Sequence, residues 1–294
     1  MSKGIIICTS SNLYQVKVEN EIYNCSARGK FKAEKITPLV GDHVEIQITD
    51  KEKKEGIIER IYERKNELKR PKIANITQLI FVVSMKMPKP DLLLLDKQLA
   101  FANYLGIKSV IILNKTDLER QKKIDEIEQI YKNIGYKVIQ TNLKQPIPLE
   151  TMETLLKNNI TVLAGNSGVG KSTLLNSIFN KKITEEGIVS EKNKRGKNTT
   201  TSVTLFEYDD NSFVADTPGF STFEITEISK EDLSHYLIEF NQYMHNCEFL
   251  GCSHIKEQQC GIKEAVEEGK ISTLRYENYK KIYEELKTKE ETKW

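Results

Sequence analysis

The chain has 294 residues, enough for two or three compact domains. Its 44 Lys and Arg against 42 Asp and Glu leave a formal charge of +2, so the overall balance argues nothing about nucleic acid; only a local basic face would. No apolar run reaches the roughly 18 residues of a membrane span, and the short apolar stretch after Met1-Ser2-Lys3-Gly4 predicts neither a secretory signal nor a membrane protein.

In chain order, the first 65 residues read as all-β. Strands are predicted at 4–9, 13–18, 44–49 and 56–62, with alternation in Tyr14-Gln15-Val16-Lys17-Val18 and Val44-Glu45-Ile46-Gln47-Ile48. Five or so short strands in this length suit a small OB-type barrel. Arg28, Lys30, Lys32 and Lys35 make its middle loop basic, and with Phe31 that loop is a candidate for RNA phosphates and bases, or simply a solvated charged loop. Cys8 and Cys25 stand alone and read as small buried hydrophobes.

The polar run Arg64-Lys65-Asn66-Glu67-Leu68-Lys69-Arg70-Pro71 reads as a linker, giving bounds of 1–65 for the barrel and 66–74 for the linker. An α/β domain follows over 75–225, which makes the chain as a whole multidomain α/β. Buried strands are predicted at 80–84, 110–113, 160–164 and 213–215, and helices at 91–104, 118–134 and 171–179. Residues 226–294 read as a polar helical domain.

Gly165-Asn166-Ser167-Gly168-Val169-Gly170-Lys171-Ser172, followed by Thr173, fits G-x-x-x-x-G-K-[ST] between a predicted strand and a helix. Its glycines let backbone N–H groups wrap phosphate oxygens at a helix N-terminus. Lys171 is expected on the β- and γ-phosphates and the Ser172 hydroxyl on Mg²⁺. About fifty residues on, Asp216-Thr217-Pro218-Gly219 ends another strand: Asp216 is a candidate Mg²⁺-associated carboxylate and the Gly219 N–H a γ-phosphate sensor. Asn114-Lys115-Thr116-Asp117 ends the strand at 110–113. Asp117 can accept both adjacent donors of guanine, which adenine lacks, and the Lys115 stem can cover the purine face. Thr141-Asn142 is a candidate for the guanine O6 contact. GTP and GDP are therefore the expected ligands. The base motif precedes the phosphate motif, the reverse of the ordinary order, and circular permutation of a GTPase domain is the natural reading.

Two features bear on hydrolysis and on a metal. The polar segment from Lys192 to Thr201 reads as a switch loop offering a hydroxyl to Mg²⁺, and Phe220 follows Gly219 where many GTPases carry a water-orienting Gln. Turnover is therefore expected to be slow without a partner that completes the site. Cys247, Cys252, His254 and Cys260 supply three thiolates and an imidazole, a set suited to one closed structural Zn²⁺ site, with His245 a nearby competitor. His43 and His235 read as ordinary surface or core histidines. The tail at 262–286 has helical spacing of Ala265, Val266, Leu274, Tyr279, Ile282, Tyr283 and Leu286, suited to core packing. Because Asp216 to Gly219 leads directly into the Cys/His segment, hydrolysis could be passed to it by movement of 220–234.

A barrel, a rotated GTPase and a Cys/His-rich tail resemble the ribosome small-subunit-dependent GTPase A family, RsgA, over nearly the whole chain. The resemblance implies GTP hydrolysis stimulated by the 30S subunit late in its maturation, contact of the barrel with 16S rRNA, and His254 as the fourth zinc ligand. A single crowded Cys/His group without an export signal makes the cytoplasm the expected compartment, and a monomer is expected. It also implies Thr200, with Thr199 close behind, as the Mg²⁺ ligand of the switch. Where the family's switch carries a His, this chain has Asn198, which can orient a water but not act as a base. That departure keeps a second reading open, a GTP-gated rRNA-binding module with negligible turnover.

Overall fold

The computed structural model describes the chain except residues 11–12, 70, 187–202, 210, 217–224, 226 and 293–294, and except the side chains at 32, 180–186 and 216. Contacts divide it into two compact units. The first comprises Met1–Ile80, Ile147–Ala164 and Gly170–Phe220; the second comprises Phe81–Pro146, Gly165–Val169 and Ser221–Trp294.

The first unit begins with β1 (Ser2–Ser10), β2 (Leu13–Val18), β3 (Glu21–Ala27), the short helix α1 (Gly29–Ala33), β4 (His43–Asp50) and β5 (Glu55–Ile61). The strand order is β1-β2-β3-β5-β4, and β1 pairs back onto β4, closing the expected five-strand barrel. β3 is missing from the sequence reading although Tyr23 and Cys25 alternate inward. Ile6, Val16, Tyr23, Cys25, Phe31, Val44, Ile46 and Ile58 fill the barrel. Cys25 is thus a buried hydrophobe as expected, whereas Cys8 is half-exposed. Phe31 corrects an expectation. Its ring is only 5% exposed, because α1 turns it into the barrel, where burying an aromatic ring stabilises by about 1.5–3 kcal/mol. It therefore presents no face to an RNA base. The Lys30 ammonium lies 5.3 Å from its centroid, and Arg28 pairs with Glu59 at 2.7 Å.

The stretch after the barrel is structured. β6 (Glu67–Lys69) and β7 (Lys72–Ala74) form a two-stranded antiparallel ribbon, and Ile73 bridges to Val40. Arg64 holds it to the barrel: its Nε and Nη2 donate to the buried Asp42 carboxylate at 2.7 and 2.8 Å, and Nη2 also to the Thr37 carbonyl at 2.7 Å.

Next come β8 (Gln78–Ser84), α2 (Leu92–Tyr104), β9 (Lys108–Asn114), α3 (Gln121–Lys132), β10 (Lys137–Gln140), α4 (Leu149–Leu156), β11 (Ile160–Ala164), α5 (Lys171–Glu186), β12 (Thr204–Asp209) and β13 (Ser212–Asp216). In the first unit β11 is parallel to β13, β12 is antiparallel to β13, and β12 meets β1 at Cys8 and Thr204. There the Gln78 side chain donates to the Leu155 carbonyl and the Thr161 hydroxyl, fixing the start of β8 beside β11. In the second unit β10 runs parallel to β9, which neighbours β8. Every residue of β8 and β11 is buried, and apart from Gln78, Ser84 and Thr161 all are apolar, as strands covered on two faces require.

The second unit ends with α6 (Gly261–Glu267) and α7 (Thr273–Glu291) after a series of 3₁₀ turns. Arg275 at the start of α7 is 1% exposed. Its Nη1 reaches Asp96 of α2, and its Nε and Nη2 reach both oxygens of Glu239. Asp96 also accepts from Asn278 (2.6 Å) and from the Tyr131 hydroxyl (2.8 Å). Burial pushes the Asp96 carboxyl upward, while Arg275, Asn278 and Tyr131 pull it back. A buried charge is tolerated only when paired and hydrogen-bonded in this way.

Candidate nucleotide site and metal centre

The strand β9 delivers Asn114 at its end, and the chain then turns sharply. Lys115 takes a left-handed conformation (φ 61°), and Thr116–Leu118 form one 3₁₀ turn that leaves Asp117 exposed. The Asn114 amide donates to the Val169 carbonyl at 2.8 Å, and its oxygen accepts the Lys115 N–H at 2.8 Å. The Lys115 ammonium donates to the Gly168 carbonyl at 2.7 Å and also to the Met87 carbonyl. With its charge held there, its methylene stem is the part left to cover a purine ring. Thr141 and Asn142 lie beside this turn: Thr116 Oγ1 donates to the Thr141 carbonyl at 3.2 Å and accepts from the Asn142 amide at 2.9 Å. The second unit therefore brings the base motif against the first half of the phosphate motif.

The phosphate loop leaves β11 through Gly165 at φ 137°, where a Cβ would stand 2.3 Å from the Val82 carbonyl oxygen. Gly168 and Gly170 also have positive φ, 76° and 105°. Side chains at these positions would be strained, so the motif's glycines are conformational requirements. Val169 is buried, whereas Ser167 and Gly168 are exposed. In the first unit α5 begins at Lys171, with Ser172 and Thr173 exposed in its opening turn. Burial holds the Lys171 ammonium below its ordinary range, a cost that a phosphate beside it would reverse. Asp216 closes β13, with its side chain outside the described set. Gly219, Phe220, Asn198, Thr199 and Thr200 lie outside the described residues.

Sequence reasoning missed the turn between β8 and α2, residues 85–91. The Met85 N–H donates to the Asn114 carbonyl at 2.9 Å, and the Ser84 hydroxyl to the Lys86 carbonyl at 2.7 Å. Asp91 caps α2, accepting the Leu94 N–H at 2.9 Å, and also accepts the Asn166 side-chain amide at 3.2 Å. The only signal was an acid just ahead of an apolar helical run, an ordinary N-cap pattern.

In the carboxyl-terminal region Cys247, Cys252, His254 and Cys260 bring one ligand atom each to within 4.8 Å of one another. Cys247 Sγ and Cys260 Sγ are 3.9 Å apart, and His254 Nδ1 is 3.5 and 3.4 Å from them. Metal–sulfur bonds of about 2.3 Å at tetrahedral angles give edges of about 3.8 Å, so this donor set fits Zn²⁺. His245 is not part of the cluster. Burial lowers the His254 imidazole to about 4, which leaves it neutral, and burial pushes the Cys252 thiol up to about 12 and raises that of Cys260. Thiols with such values become ligands only as the metal displaces their protons.

The loop is also braced by groups no motif contains. Glu257 accepts from the Ser253, Ile255 and Lys256 N–H groups (2.9–3.1 Å) and from the Ser253 hydroxyl (2.8 Å). Burial pushes its carboxyl up, but these donors outweigh that and hold it at about 2. Tyr279 and Tyr276 of α7 donate to the Ser253 and His254 carbonyls at 2.8 and 2.7 Å. His254 itself has a φ of 58°, a conformation the surrounding bonds over-determine.

Motif order, barrel and metal cluster together define a circularly permuted GTPase flanked by a β-barrel and a Cys₃His-bearing segment. The chain belongs to the RsgA family and is a GTP hydrolase: residues 61–226 match the RsgA GTPase family model and residues 3–58 the RsgA N-terminal domain. It is 43% identical over 287 residues to the small ribosomal subunit biogenesis GTPase RsgA of Alkaliphilus metalliredigens, covering 98% of each chain. It is 44% identical over 284 residues to that of Clostridium perfringens strain 13, covering 97% of this chain and 98% of the relative. Among solved structures it resembles YjeQ from Thermotoga maritima (TM-score 0.84, 38% identity, 97% and 98% of the two chains). It also resembles YloQ, a circularly permuted GTPase (TM-score 0.81, 37% identity, 98% and 96% of the two chains).

Proposed function

We propose that this protein binds the small ribosomal subunit, through its 16S rRNA, and hydrolyses GTP there late in subunit maturation, acting as a monomer in the cytoplasm. Two of its relatives are named for small-subunit biogenesis over essentially this whole length. The observation that carries the nucleotide half of this reading is the grip of Asn114 and Lys115 on the Val169 and Gly168 carbonyls. It joins a guanine-selecting turn to a phosphate-binding loop although the two are more than fifty residues apart in sequence.

In this reading the residues from Gly165 to Thr173 cradle the phosphates, with Lys171 on the β- and γ-oxygens. Ser172, Asp216 and a switch threonine, Thr200 or Thr199, hold Mg²⁺, Gly219 senses the γ-phosphate, and Asp117 selects guanine. Zn²⁺ on the Cys₃His set is structural, since four protein ligands leave no open position. The chain divides functionally into a barrel over 1–65, a connector over 66–74, the GTPase over 75–225 and the zinc-binding region over 226–294. With Asn198 and Phe220 in place of groups that handle the attacking water, the subunit completes the site. The decisive measurement is phosphate release from GTP with and without purified 30S subunits. Strong stimulation is expected; equal rates overturn the subunit-dependent reading, and negligible release in both favours the GTP-gated RNA-binding alternative.

A further inference from the structure

Three residues of the phosphate loop are held from outside it. Val169 is held by Asn114 and Gly168 by Lys115, both members of the base motif. The third, Asn166, is held by Asp91, which belongs to no motif. We propose that Asp91 is a positioning residue for GTP binding and hydrolysis, one carboxylate that fixes the phosphate loop to the start of α2.

The chemistry of the position favours this assignment. A helix N-cap needs one side-chain oxygen, and Ser, Thr or Asn would supply it as well as Asp. Here Oδ1 accepts the Leu94 N–H at 2.9 Å while Oδ2 accepts the Asn166 amide at 3.2 Å. Two aligned acceptors, one for each task, are what a carboxylate offers and a hydroxyl does not. A negative charge beside a loop that receives polyphosphate works against the ligand electrostatically. The helix dipole favours that charge at an N-cap, but capping uses only one of its oxygens; holding Asn166 uses the other.

The anchor is also rigid. One turn beyond Asp91, Asp96 is 1% exposed and tied to Arg275, Asn278 and Tyr131. At the far end of α2 the Asn103 amide donates to the Tyr136 hydroxyl (2.9 Å) and to the Tyr236 carbonyl (2.8 Å). Asn166 is thereby fastened to a helix fixed at both ends. Between these points Lys115 also grips the Met87 carbonyl, so the turn over 85–91 is tied to the base motif and the phosphate loop together.

The test separates capping from positioning. Asp91→Ser keeps an acceptor for the Leu94 N–H and lacks the second oxygen; Asp91→Ala lacks both; Asn166→Ala removes the partner. The readouts are dissociation of a fluorescent GDP analogue, KM and kcat for GTP, and the denaturant midpoint. Asp91→Ser is expected to leave the midpoint unchanged and to speed nucleotide release about three- to tenfold, the range of one lost hydrogen bond. Asp91→Ala should release nucleotide equally fast but at a lowered midpoint. In an Asn166→Ala background the effect of Asp91→Ser should vanish. Release by Asp91→Ser at the wild-type rate overturns the proposal, as does an effect that persists undiminished in that background. The proposal rests on GTP being the ligand of the phosphate loop; wild-type protein that fails to retain the GDP analogue would refute that reading instead.

Discussion

The phosphate loop and the metal loop of the second unit are both short, irregular segments prepared for a charged ligand, yet they are built in opposite ways. In the phosphate loop the backbone grips described above fall on carbonyl oxygens, those of Gly168 and Val169. A peptide unit held by its carbonyl points its N–H the opposite way, which in the proposed reading leaves that donor for phosphate. In the metal loop the backbone is engaged at both polarities. Glu257 takes three N–H groups, and Tyr276 and Tyr279 take two carbonyls, so that only side chains point inward as ligands. An anion site is made by presenting main-chain donors, and a soft-cation site by using up the main chain elsewhere.

That contrast is broken or sharpened first at the exposed Asp117, where the proposed reading has a side chain of the base motif, not the backbone, meet the ligand. Asp117→Asn removes the acceptor pair for guanine while leaving the grips of Asn114 and Lys115 intact. Preference for GTP over XTP should shift by about 10⁴-fold, the scale on which a hydrogen-bonding site rejects a ligand lacking its partner groups. Competition of GTP, XTP and ATP against a fluorescent GDP analogue measures it. An unchanged order would mean that the exposed Asp117 does not read the base.

Both loops lean on one buried node. Asp96 secures α2 next to the phosphate loop, and Arg275 secures the α7 end that carries Tyr276. Asp96→Ala leaves the Arg275 guanidinium with Glu239 as its remaining carboxylate and takes the acceptor from the Asn278 amide and the Tyr131 hydroxyl. Breaking a buried pair from one side typically costs about 3–5 kcal/mol. The denaturant midpoint should fall accordingly, and zinc and nucleotide should both be lost more readily. A change no larger than that of a surface substitution, about 0.5 kcal/mol, would show that the node does not support the two loops.

What the sequence made legible follows the same division. The residues proposed to meet ligands advertise themselves through chemistry at fixed spacing; the structure sets Asn114 and Lys115 against the Val169 and Gly168 carbonyls and gathers Cys247 and His254 into one cluster. The barrel was legible from alternation, apart from β3. The supports were not legible. Asp96, Glu239, Arg275 and Asn278 look like ordinary surface polar residues, because no local pattern reveals that Arg275 and Asn278 meet Asp96, 179 and 182 residues away in sequence. Phe31 was misjudged for a related reason: lysines on either side mark a solvated segment, yet a single helical turn carries the ring into the core while leaving Lys30 over its face. Arg64 reads as linker charge until the buried Asp42 appears opposite it.

Glu257 provides the finest test of the contrast, because its effect should be the smallest of the three and confined to the metal. If the loop's geometry comes from the protein and not from the ion, removing the brace should loosen zinc without unfolding the unit. Glu257→Ala should weaken zinc retention against a chelator by about 10- to 100-fold, as loss of groups that orient metal ligands generally does. Tyr279→Phe, which removes one hydroxyl bond and keeps the ring, should act in the same direction by less, since a single neutral hydrogen bond contributes about 1 kcal/mol. Amide exchange at Ser253, Ile255 and Lys256 gives a readout independent of the ion. In metal-stripped wild type these amides should stay protected by Glu257, and in Glu257→Ala they should not. If stripping the metal alone abolishes their protection, the ion shapes the loop, and the two loops are more alike than their hydrogen bonds imply.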